Sequence, residues 1–129
     1  MNLTAEQVKN LNILANFMDG LNDPKFTMRK VFHGCGTPAC AFGYALVHPY
    51  FKAKGLIDHR TISRPMFGPE AFDTLFYVYF VKTPQQWAAH CRAFLKSNGY
   101  EVSDGFKTFM DRVMVPVQFC PESVQMRCQ

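Results

Sequence analysis

Val8, Leu11, Ala15 and Met18 recur at intervals of three and four, with Leu14 and Phe17 broadening the stripe. That spacing predicts an amphipathic helix over 5–18. Thr4 and Gln7 mark its start as a capping box, each side chain serving the other's backbone N–H, and Leu3 and Val8 are placed to form a hydrophobic staple. Gly20 is placed to end it in left-handed geometry. Asn22-Asp23-Pro24 then breaks the chain, and 26–32, apolar and basic by turns, fits a short helix or an extended segment equally. After the turn His33-Gly34-Cys35-Gly36, Thr37 reads as a helix cap and Pro38 as the first residue of a helix running to about Val47. A brief turn from Pro49 to Lys54 stops at Gly55.

Residues 56–68, punctuated by Asp58, Ser63, Pro65 and Gly68, read as a loop, and Pro69 opens a short helix through Phe76. Tyr77 to Val81 has strand-favouring side chains yet also fits a buried continuation of that helix. Thr83, Pro84 and Gln86 give a second strong start signal, Trp87, Cys91, Phe94 and Leu95 an inner stripe, and Asn98-Gly99 an end. Ser103 starts a last helix with Phe106, Phe109, Met110 and Val113 facing inward, and 115–129, holding Pro116 and Pro121, is an irregular tail. The expected architecture is mainly α: one compact domain over 1–129, with about five helices packed around an aromatic core and at most a minor β element.

An apolar fraction of 48% excludes a disordered chain, and 129 residues exclude a multidomain enzyme. No run approaches the roughly 18 apolar residues of a membrane span, and Met1 to Glu6 lacks a signal-peptide pattern, so the expected location is cytoplasmic. There, five cysteines default to reduced thiols. The net charge of +4 is a mild bias towards anionic partners.

The turn Gly34, Cys35, Gly36, Thr37 combines two flexible glycines with the expected helix start at Pro38, whose free N–H groups suit a phosphate or carboxylate. In that first helical turn Cys40 would be favoured as a thiolate. The plainer alternative is that Cys40 and Gly43, both small, let another element approach closely. Between His48 and Arg64 lie Lys52, Lys54, Arg60 and Arg64 with His59, against Asp58 alone. Tyr50 and Phe51 among them suit a base or sugar held on an aromatic face while cations meet phosphate; a solvated basic face is the alternative. His33-x-Cys35-x4-Cys40 and His90-Cys91 offer zinc-type ligands without zinc spacing, so neither a metal nor a cofactor is expected. Without a helix-turn-helix signature, duplex DNA is not an expected partner. Phe72, Phe76, Tyr77, Tyr79 and Phe80 are open to three uses: core, an interface between copies of the chain, or the wall of a ligand pocket.

The run CGTPACAFGYA resembles the CGT-x-x-C-x-x-G-[WY]-A signature of a family of small phage and bacterial proteins. Phe67 to Phe76 and Thr83 to Leu95 resemble its following blocks in the same order, so the likeness covers residues 5–97; it departs at 48–66 and after Gly99. The resemblance implies a small accessory protein of phage type in the host cytoplasm; together with the helix-start and basic-aromatic chemistry above, the expectation is a non-enzymatic protein that binds a host protein or a small anionic, nucleotide-like ligand and interferes with host defence. A weaker similarity is to papain-like cysteine peptidases, which place a nucleophilic cysteine in a Cys-Gly turn. It implies a thiol-dependent enzyme using Cys35 or Cys40 with His90 as its histidine. A structural, self-assembling protein is the third expectation.

Overall fold

The computed structural model describes residues 2–102; the expected helix from Ser103 and the tail at 115–129 lie outside the described residues. Helix α1 spans Ala5–Asp19, capped by Thr4 and Gln7 in the reciprocal box. Gly20 ends it in right-handed geometry (φ −93°), so the left-handed stop expected there is not used. Every residue from Asn10 to Met18 is buried, which makes α1 the helix that the others wrap. Three asparagines on it are buried with their polar ends served. Asn10 accepts from the Tyr50 hydroxyl (2.7 Å) and donates to the Met66 carbonyl (2.8 Å). Asn12 donates to the Glu101 carbonyl (3.0 Å), and Asn16 accepts from Arg92 (2.9 Å). Polar groups so paired escape the desolvation cost of burial and fix which residues face which.

Five further helices follow: α2 (Ala41–Val47), α3 (Pro49–Ala53), α4 (Arg60–Phe67), α5 (Pro69–Leu75) and α6 (Pro84–Ser97). The fold is mainly α around an aromatic cluster, and no strand is present among the described residues beyond one isolated bridge, Phe32 to Pro38. Helix α6 packs along α1 and carries its own start signal, with Thr83 accepting from the Gln86 N–H (3.0 Å). Gly99 (φ 79°) closes it, and the Tyr100 N–H returns to the Leu95 carbonyl at 2.9 Å. No helix of the described residues is long and apolar enough to cross a membrane.

Three further expectations are corrected. Pro38 does not begin a helix. The His33 N–H donates to the Thr37 carbonyl and the Ala39 N–H to the Val31 carbonyl, both at 2.9 Å, which closes 31–39 into a hairpin-like turn with Gly36 (φ 91°) at its tip. Those bonds hold Pro38 extended, so α2 starts at Ala41 with Cys40 as its cap residue. Second, 60–67 is helical despite Pro65, whose missing N–H removes only one bond; Ser63 and Phe67 are the residues it buries. Third, 77–81 forms neither strand nor helix; it turns from α5 towards α6.

His33 is buried beside the Asp23–Tyr44 pair, in which the Tyr44 hydroxyl donates to Asp23 at 2.6 Å. Burial, followed by the Lys30 charge, holds the imidazole below its usual 6.5. A base depressed in the fold gives stability that is present above the unfolded value and lost as pH falls through the folded one. Melting temperature is therefore expected to fall on acidification below about pH 6.5, and His33→Gln to flatten that slope. Circular dichroism melts of both proteins at about pH 7.5 and 5.5 check it. Equal slopes would remove His33 as the cause.

Candidate functional site

A cavity of about 570 Å³ opens where four segments meet, a size within the range of small-molecule sites (roughly 300–1,000 Å³). Met28 to Val31 come from the stretch before the hairpin-like turn, Cys40 and Phe42 from the start of α2, and Asp58 to Thr61 from the start of α4. Phe72 of α5, Phe76 just past its end, then Tyr77 and Tyr79, complete the wall. Phe42, Phe72 and Phe76 are buried and meet one another at 4.9–5.7 Å between ring centroids, so this side is a preformed apolar surface.

The opposite chemistry is cationic. Arg60 lies over the Tyr77 ring at 4.7 Å and Arg29 over the Tyr79 ring at 5.6 Å. Neither arginine enters an ion pair among the described residues. A guanidinium held over an aromatic ring still carries a fork of N–H donors that can meet a bidentate anion. His59 and Lys30 line the same space. The start of α4 is pinned from beneath: fully buried Ser63 donates to the Ile57 carbonyl at 2.5 Å, and the His59 N–H meets that same oxygen at 2.8 Å.

Of the residues singled out from sequence, His59 and Arg60 line the cavity; Gly34, Cys35, Gly36 and Thr37 do not, lying instead at the hairpin tip. There Cys35 Sγ is 3.1 Å from the Thr37 hydroxyl, and Cys35 is disulfide-bonded, against the default of reduced thiols. Tyr50 turns towards Asn10, its ring between Lys9 (5.7 Å) and Lys54 (5.1 Å); Lys54 pairs with Glu6, and Lys52 is exposed on α3. Arg64 pairs with Asp73 at 2.7 Å. Cys40 lines the cavity, but burial pushes its thiol pKa up, outweighing the Gly43 and Phe42 N–H groups that favour the thiolate. His90 lies on α6 against Phe80 (5.4 Å), and no hydrogen bond among the described residues joins it to Cys40. Among the described residues no group of three or more His, Cys, Asp or Glu is placed to hold a metal.

Arg29 and Asp58 were not among the expected ligand contacts, whereas Tyr77 and Tyr79, with Phe72 and Phe76, line the cavity, a pocket wall being one of the three uses open to them. The signals in sequence were the basic-apolar alternation of 26–32 and the aromatic surplus after Phe72, neither of which reveals that the two segments meet. No protein-family model matches this chain, and neither the curated proteins nor the solved structures offer a match.

Proposed function

We infer that this chain is a binding protein whose cavity takes a small anionic ligand with a flat ring, of the nucleotide kind. The observation that carries the reading is the pair of arginine–tyrosine cation–π contacts, Arg60 over Tyr77 and Arg29 over Tyr79, beside an apolar aromatic wall. Phosphate is met by the guanidinium forks, and the ring finds a π surface and a dry wall. The chemistry supports binding over nucleophilic catalysis: Cys40, the free thiol on the cavity, is held protonated by burial. Capture of such a ligand is how an accessory protein of the kind the motif resembles would act on a host.

Calorimetric titration with the common nucleoside mono- and diphosphates tests this. At least one is expected to bind, more weakly as salt rises, and to raise the melting temperature, since it binds the folded state alone. Arg60→Lys keeps the charge but loses the planar fork of donors, and is expected to weaken binding about tenfold. Absence of heat and of any melting shift at millimolar concentration across the panel overturns the reading.

A further inference from the structure

The cavity is open on its charged side: Arg29, Lys30, His59, Arg60 and Thr61 line it and are themselves exposed. A pocket built to hold a small ligand alone covers most of that ligand's surface, whereas here one flank stays in water. The large apolar side chains exposed among the described residues gather at the same place. Arg29 stands over the Tyr79 ring at 5.6 Å, yet Tyr79, a lining residue, is still 52% exposed. Phe80, next in the chain and outside the lining, is 68% exposed. Its ring meets that of His90 on α6 at 5.4 Å, which carries exposed aromatic surface from the cavity mouth towards α6. Ile57 and Ile62, also exposed, bracket the wall segment 58–61. Exposed rings beside cations are how sequence-tolerant binders of single strands work: bases stack on the rings while the cations follow the phosphates.

Resting on the nucleotide reading above, we propose that the nucleotide this cavity takes is one unit of a single-stranded nucleic acid, whose neighbouring bases stack on Tyr79 and Phe80. The open flank is where the strand enters and leaves. Arg29 and Arg60, which enter no ion pair among the described residues, meet two of its phosphates. Every base has a flat face, so such a platform recognises an unpaired strand and not a sequence. A duplex keeps those faces inside its own stack and offers the rings nothing.

The experiment compares thymidine monophosphate, by calorimetry, with a fluorescein-labelled oligothymidylate of about twelve nucleotides, by anisotropy, on the intact chain. The strand is expected to bind at least about tenfold more tightly than the monophosphate, and more tightly than a blunt duplex of the same length. Its affinity should fall with salt at a logarithmic slope of roughly −1.4 or steeper, about −0.7 for each phosphate met. Phe80→Ala is the discriminating variant. It is expected to weaken the strand about tenfold while leaving monophosphate affinity and melting temperature as in the wild type, since the side chain is exposed and outside the cavity. A strand no tighter than the monophosphate, a duplex bound as well as the strand, or a Phe80→Ala strand affinity equal to wild type overturns the inference and leaves the nucleotide reading in place. Failure of the strand and of every mononucleotide to bind overturns both.

Discussion

Gly43→Ala is expected to cost about 3 kcal/mol or more, the upper end of what overpacking a core position does. A Cβ at position 43 would stand 2.2 Å from the Val31 carbonyl oxygen and 3.2 Å from its carbon. Both are main-chain atoms, so no rotamer change relieves the contact. The same oxygen accepts the Ala39 N–H at 2.9 Å, so pushing Val31 aside strains the bond that closes the hairpin-like turn. Because Val31, Lys30 and Arg29 line the cavity, ligand binding should fall with stability. Gly55→Ala is the control. It meets nothing within 4 Å and is strained only by its φ of 88°, so about 1 kcal/mol is expected. Urea denaturation followed by circular dichroism compares the two. A loss at Gly43 no larger than at Gly55 would mean that the Val31 backbone yields freely.

Trp87→Ala is expected to cost about 3–5 kcal/mol, the range for deleting a large buried aromatic. The indole is fully buried, its N–H donates to the Leu75 carbonyl at 2.8 Å, and its ring lies 5.5 Å from that of Phe76. It therefore joins the end of α5 to α6 through both a hydrogen bond and a ring contact. Trp87→Phe keeps a ring but strands the Leu75 carbonyl, and about 1–3 kcal/mol should be lost. Thermal melts separate the contributions. If the phenylalanine variant were as damaged as the alanine one, the hydrogen bond and not the packed volume would be dominant.

Helices α1 and α6 were legible because their signals are local. Thr4 with Gln7, and Thr83 with Pro84 and Gln86, bond within one turn of themselves, and their inner stripes follow the helical period. Thr37-Pro38 carries the same lettering and means something else. Its backbone is claimed by His33 and Val31, and that competition depends on how the turn closes, which a cap pattern does not encode. Helix α4 was hidden by polar and proline residues read as punctuation; it exists because Phe67 and Ser63 are buried and the Ile57 carbonyl is bonded from two sides. The cavity followed the same divide. The charge run from His48 to Arg64 pointed to His59 and Arg60, while Tyr50, Lys54 and Arg64 had partners elsewhere on the surface. Arg29 and Asp58 stand some thirty positions apart in sequence and become neighbours on one cavity only through packing.

The chain has one tryptophan, and Phe76, the ring against which it lies, forms part of the cavity wall. A single aromatic layer thus separates the indole from whatever occupies the site. Its ultraviolet emission comes from one dry environment and carries no background from a second indole, which gives the protein an intrinsic optical gauge of occupancy that needs no attached dye.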